Sequence, residues 1–224
     1  MWLREQPMHI EIWSDIACPW CYLGKRRLET ALTDFEHRDD VAITYRSFEL
    51  DPEAPAERVG ERAAHLAGKY GMKVEQARAM EDQMTMRAAA EGLRYRLDIA
   101  RAGNTFDAHR MLHLAAAHGV QAAAKERFMR AYFTEGQLMS DHETLVRLAA
   151  DVGIPEDDAR EALASGRFAA EVREDERTAQ ELGIRGVPFF VIDRRYAVSG
   201  AQSPEVLVSA LRRALAESSE PQPR

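Results

Sequence analysis

Among the 224 residues there are two cysteines, Cys18 and Cys21, with Pro19 and Trp20 between them. Two thiols at that spacing can close a disulfide with each other and reopen it, so the run Cys18-Pro19-Trp20-Cys21 predicts a dithiol that works by thiol-disulfide exchange. The residues around the pair predict how it is held. Met8, Ile10 and Ile12 alternate with His9, Glu11 and Trp13, the pattern of a strand with one buried face that ends near Ser14-Asp15. After the pair, Cys21, Leu28, Leu32 and Phe35 fall at offsets of 0, 7, 11 and 14, one face of a helix, and Gly24 on that side admits close packing.

A helix starting at the pair has a chemical consequence. With Cys18 at the cap and Pro19 at the first helical position, where a missing N-H costs nothing, the Cys18 sulfur faces the free N-H groups of the helix start. Such a terminus contributes up to about 2 kcal/mol, enough to bring a cysteine from about 8.5 to near 7. Cys21, three residues on and turned inward, is expected to be less accessible and to stay a thiol. The sequence therefore predicts Cys18 as the attacking sulfur and Cys21 as the resolving one, with Pro19 and Trp20 tuning the pair.

The elements that must position the dithiol follow from the rest of the chain. Val41, Ile43 and Tyr45 alternate with Ala42, Thr44 and Arg46, giving strand, helix, strand, the βαβ unit of a parallel sheet. Beyond the proline-rich loop Glu49 to Pro55, strand signals fade. Helical patterns are predicted over 57–70, 74–91, 105–118, 120–134, 141–152, 156–164 and 168–182, punctuated by Gly71, Gly92, Gly119, Gly136, Gly153 and Gly183. Phe189-Phe190-Val191-Ile192, a turn at Asp193-Arg194, and Arg195 to Ser199 predict a hairpin, followed by a last helix capped by Ser203-Pro204-Glu205. The tail from Ser218 to Arg224 is polar and expected to fray.

Composition narrows the function. With 46% hydrophobic and 30% charged residues the chain can bury a core without staples, and its net charge of -7 without a basic stripe argues against nucleic acid. No apolar run approaches about 18 residues and the start of the chain lacks one, so the expectation is a cytoplasmic protein without a membrane partner. In that compartment a cysteine pair is expected to react rather than to brace.

The CPWC run, the segment Gly186-Val187-Pro188-Phe189-Phe190 and this layout together resemble the thioredoxin-like DsbA family. Ser14 to Lys25 (SDIACPWCYLGK), Asn104 to Arg110 (NTFDAHR) and Tyr196 to Gln202 (YAVSGAQ) are similar to its FrnE-like branch. The resemblance covers nearly the whole chain. It implies an α/β, thioredoxin-like fold with a helical domain inserted after the second strand, so that residues 1–56 and 183–224 form the split thioredoxin-like domain and 57–182 the insertion. It implies thiol-disulfide oxidoreduction, a cis bond between Val187 and Pro188 opposite the dithiol, and substrate contacts at these two residues. It also makes Asn104 and His109 candidates for a place near the cleft.

The expected partners are protein or small disulfides and thiols and an external electron donor or acceptor. No cofactor is expected to bind tightly, with glutathione a candidate co-substrate. The direction of electron flow, the substrate and the oligomeric state stay open. The alternative is a glutathione-dependent isomerase or transferase, like the related 2-hydroxychromene-2-carboxylate isomerases and kappa-class glutathione transferases. Those relatives typically carry serine where this chain has Cys18, which favours redox work. A non-catalytic shell of the same fold is the third reading, and intact cysteines argue against it.

Simpler readings apply elsewhere. Structural zinc needs four ligands and no second cysteine pair exists, so no metal is expected; His109 and His113 share a helix face but lack a zincin glutamate. Asn104 reads equally as a helix-start signal. Met72, Met80, Met84 and Met86 read as packing between helices, and Glu171 to Arg177 as a solvated helix face with Glu174 and Arg177 paired.

Overall fold

The computed structural model describes residues 7–218. The readings of residues 1–6 and of the tail, residues 219–224, lie outside the described residues. The chain opens with β1 (Met8–Ser14), α1 (Pro19–Thr33) and β2 (Val41–Ser47). Seven helices come next: α2 (Arg62–Tyr70), α3 (Val74–Ala90), α4 (Phe106–Ala117), α5 (Gln121–Phe133), α6 (His142–Ala150), α7 (Glu156–Ser165) and α8 (Ala169–Glu181). The hairpin β3 (Phe189–Ile192) and β4 (Tyr196–Ser199) and the helix α9 (Pro204–Ser218) close it. No helix among the described residues is long and apolar enough to cross a membrane.

The strands form one mixed sheet in the order β2-β1-β3-β4. β1 runs parallel to β2, from Met8 opposite Val41 to Ser14 opposite Ser47, and antiparallel to β3, with Trp13 opposite Phe189. The α/β class holds, and the two parallel strands end side by side where the dithiol helix begins. α2 starts at Arg62 and not at 57, because the backbone before it pairs elsewhere: Arg58 N-H donates to Ala102 O at 2.8 Å, and Pro55 O accepts from Asn104 N-H at 2.9 Å. Gly71, at φ 64°, ends α2 in a left-handed turn that its missing Cβ permits.

One face of the sheet carries Met8, Ile10, Ile12 and Phe190 against Leu28 of α1 and Leu207 and Leu211 of α9. The other face is buried as well, contrary to the single buried face predicted for β1. Trp13 is fully enclosed with Ala179 and Val191, and Glu11 is 1% exposed. Glu11 can be there because Arg46 and Arg194 both close on its carboxylate, at 2.6 and 2.8 Å. At the β2 edge of the sheet the Gln121 side chain of α5 donates to Tyr45 O and accepts from Tyr45 N-H, both at 2.9 Å, as a neighbouring strand would at that residue.

Two surface readings need correction. Asp175, inside the supposed solvated face of α8, is 4% exposed and binds Arg46 at 3.1 Å and Ser47 N-H at 2.9 Å. Met84 packs inward with Ala77 and Ala88, but Met80 and Met86 are exposed on α3, because the inward face of that helix follows 77, 84 and 88.

Candidate active site

Cys18 is the N-cap of α1, with extended backbone (ψ 114°), and Pro19 opens the helix. Cys18 O accepts from Cys21 N-H at 3.0 Å, closing the first turn so that both sulfurs come to the same end of the helix. Both cysteines are free thiols. The Cys18 Sγ donates to Val187 O at 3.7 Å. The Val187-Pro188 peptide is cis, and the Pro188 ring lies on α1 where Gly24 has no side chain: a Cβ there would stand 2.8 Å from Pro188 Cγ.

Cys18 is 4% exposed and Cys21 2%, so the attacking sulfur expected to be more accessible is nearly as covered as its partner. Cys21 also does not share its packing with Leu28 and Phe35. It lies with Tyr22, Leu23 and Phe133 in the core of the helical segment, while Leu28 and Phe35 pack on the sheet. The reason is the course of α1, whose first turns rest on the helices and whose later turns rest on the strands. Burial pushes the Cys21 thiol well up, the neighbouring Cys18 sulfur pushes it further, and Lys125 and the Asp15 backbone N-H act the other way.

Several residues outside the motif build this end of α1. Tyr95, from the loop after α3, donates to Pro19 O at 2.7 Å and stacks with Phe133. Glu126 of α5 accepts from Tyr22 Oη at 2.6 Å, from Lys25 at 2.5 Å and from Arg26 at 3.0 Å. Trp20, by contrast, is 41% exposed, with the Arg87 guanidinium 5.4 Å over its ring. Among these, Tyr95 and Glu126 carry no local signal in the sequence.

Below the dithiol the Asp15 carboxylate accepts from Leu50 N-H at 2.8 Å and from Ala17 N-H at 3.2 Å. Burial alone would raise this carboxyl; His109 and the two backbone N-H groups outweigh it and hold it low. His109 is fully buried with Nε2 3.5 Å from Asp15 Oδ1, and neither ring nitrogen closes a hydrogen bond. Burial keeps the ring below its ordinary value, against the pull of Asp15.

His113 points instead to Asp175 at 3.1 Å, so the two histidines do not converge, and no cluster of metal-ligating side chains occurs among the described residues. Asn104, one residue before the N-cap Thr105 of α4, accepts from Phe106 N-H at 2.8 Å and reaches Glu49 and Pro52, both at 3.3 Å. Glu49 itself is buried beside Arg173 and Glu176, and burial with the second carboxylate pushes it to about 7 against the pull of Arg173.

Lys125 of α5 was not singled out by the sequence reading. It is fully buried, donates to Ser14 O at 3.3 Å and lies 5.7 Å over the Tyr45 ring. The signal that could have found it is a lysine on an apolar helix face, aligned with Gln121, Phe128 and Met129.

Comparison with known proteins places this arrangement. The family described as a DSBA-like thioredoxin domain matches residues 9–212. The probable DsbA oxidoreductase of Streptomyces coelicolor is 48% identical in sequence and superposes with a TM-score of 0.91, over 97% of this chain and 94% of that one. The cytosolic disulfide reductase DsbM of Pseudomonas aeruginosa, in its structure with GSH, is 18% identical with a TM-score of 0.64, over 93% of this chain and 99% of that one, and shows the fold. The uncharacterized protein YwbO of Bacillus subtilis (strain 168) is 26% identical over 91% of this chain and 96% of its own length.

Proposed function

The chain belongs to the DSBA-like thioredoxin domain family, and from that premise we propose that it is a thiol-disulfide oxidoreductase in which Cys18 attacks and Cys21 resolves. The observation that carries this reading is the pair of free thiols at the start of α1, one capping the helix against the Val187 carbonyl and one pushed up by burial.

In the reducing direction the Cys18 thiolate attacks one sulfur of a substrate disulfide, forming a mixed disulfide and releasing one substrate thiolate. Cys21 then loses its proton and attacks the Cys18 sulfur. The internal disulfide closes, and the second substrate thiol departs with the electron pair of the broken bond. Oxidation of a dithiol substrate is the same path reversed. The raised Cys21 thiol makes its deprotonation part of the second step, because a thiol is a far weaker nucleophile than a thiolate.

Substrate binding is assigned to Val187 and Pro188, whose backbone beside the sulfur suits an extended segment added like a strand. Pro19 and Trp20 tune the pair; the exposed indole, with Arg87 over it, offers a face to substrate. Asn104 and His109 act from beneath, through Glu49 and Asp15. Proteins and small disulfides, glutathione among them, are the substrates in a cytoplasmic setting, with no tightly bound cofactor.

The test is turnover of a small disulfide and of insulin with a thiol electron source. Wild type should turn both over and Cys18→Ser should lose at least about a hundredfold, since the attacking sulfur carries the step. Equal turnover by Cys18→Ser contradicts the assignment.

A further inference from the structure

The buried cation on α5 is held by a backbone carbonyl and an aromatic ring, with no ion pair among the described residues. Lys125 is fully enclosed, yet its ammonium, which has three protons to donate, makes one hydrogen bond, to Ser14 O at 3.3 Å. Among the described residues no carboxylate closes an ion pair with it: Asp15, the residue after Ser14, accepts from Leu50 N-H and Ala17 N-H and stands 3.5 Å from the His109 ring. A buried ammonium without a counter-charge is expensive, so the amine either gives up its proton or keeps it beside a negative charge. Ser14 O fixes where Lys125 ends, and one residue on Asp15 O accepts from Cys18 N-H at 3.4 Å, so the ammonium ends beside the turn that carries the dithiol.

We propose that Lys125 is the counter-cation of the dithiol: it holds the thiolate in the reduced protein and gives up its proton when the disulfide forms. This rests on the redox reading of Cys18 and Cys21. The balance is complete without a further reagent. The reduced site holds one thiolate, one thiol and one ammonium. A substrate disulfide takes the electron pair and becomes two thiols; their protons are those of Cys21 and Lys125, passed through solvent, and the site is left with a disulfide and a neutral amine.

The groups facing Lys125 are anionic or neutral, apart from Lys25. From α1 come Cys18, Cys21 and the second cation Lys25; from the end of β1 come Ser14 O and Asp15; β2 presents the Tyr45 ring, and the neutral His109 ring of α4 stands beyond Asp15. Burial pushes Lys125 down to about 8, and negative charge on the dithiol and on Asp15 pulls against it. An amine held there changes its charge readily when a neighbouring thiolate is consumed. The helical segment between β2 and β3 thereby contributes a charge to the chemistry and not only a wall.

Lys125→Met keeps the length of the side chain and removes the charge. In this variant the midpoint of thiolate formation, followed by ultraviolet absorbance of the reduced protein, should move up by about one pH unit. The equilibrium with a glutathione redox buffer should shift about tenfold toward the disulfide, or ~30 mV. A second measurement reads Lys125 directly through its side-chain carbon resonance. Its titration should lie at least about one pH unit lower in the disulfide form and in Cys18→Ser than in the reduced wild type, an effect no purely structural lysine shows.

A thiolate titration of Lys125→Met that overlies wild type overturns the proposal. So does a Lys125 resonance that titrates alike in every form, which settles the matter even if the methionine variant does not fold. If the protein turned over no disulfide at all the redox reading would fall, while the thiolate titration would still decide whether Lys125 and the dithiol share charge.

Discussion

Gly24→Ala reverses an ordinary expectation. Alanine in place of glycine inside a helix stabilises by about 0.5–1 kcal/mol. At Gly24 the new Cβ would lie 2.8 Å from Pro188 Cγ, 3.4 Å from Phe190 Cζ and 3.5 Å from Ala201 Cβ. Carbon atoms in contact sit about 3.5 Å apart, so α1 and the Pro188 ring must separate by roughly 0.7 Å. A proline ring cannot swing aside as a free rotamer does, because it is part of the backbone.

Overpacking of this kind costs about 1–3 kcal/mol, leaving a net loss of about 1 kcal/mol after the helix gain. For a chain of this length that lowers Tm by about 2–4 °C. The shift is also carried to Val187, whose carbonyl faces the Cys18 sulfur. Gly68→Ala is the matched control: it lies inside α2 with nothing within 4 Å of its Cβ, and should gain about 0.5–1 kcal/mol. Thermal melts and the rate of Cys18 alkylation measure both effects. A Gly24→Ala protein that melts at or above wild type refutes the claim that α1 is packed to the limit on Pro188.

Other outcomes follow from the same geometry. Tyr95→Phe removes the part-buried hydrogen bond to Pro19 O at the start of α1; urea denaturation should show a loss of about 1 kcal/mol. His109, held neutral by burial, makes stability pH-dependent: as pH falls past about 6.5 the unfolded chain binds the proton first, so stability declines with a slope approaching 1.4 kcal/mol per pH unit. Asp15, held low, adds nothing until pH approaches about 4. His109→Phe should therefore flatten the curve between about pH 6.5 and 4.5 in urea denaturation across that range; an unchanged slope assigns it to another group.

Much of this was readable in the residues because local rules governed them. The alternation at Met8 to Ile12, the cap and proline at Cys18-Pro19, and the hairpin at Asp193-Arg194 depend on neighbours in sequence, and the elements fall where those patterns put them. What local pattern could not give was which charges the helices would bury. Glu11 and Asp175 look like exposed positions until Arg46 and Arg194 arrive from other strands and loops to pair with them. Lys125 reads as one more polar residue in a helix, and its meaning depends on Ser14, more than a hundred positions earlier, ending a strand beside it. The covering of Cys18 has the same origin, since Val187 lies far along the chain. The division of α1 between two cores was illegible for a related reason: a helical face specifies burial, not what buries it.

The most direct measurement is intact-mass analysis of wild type, Cys21→Ala and Cys18→Ser after reaction with oxidised glutathione under one set of conditions. The assignment of Cys18 as attacking and Cys21 as resolving sulfur requires that wild type becomes lighter by two hydrogens, that Cys21→Ala accumulates one glutathione adduct on Cys18, and that Cys18→Ser reacts at least about a hundredfold more slowly. A wild type that keeps both thiols, or a Cys18→Ser protein that reacts as fast as Cys21→Ala, contradicts it.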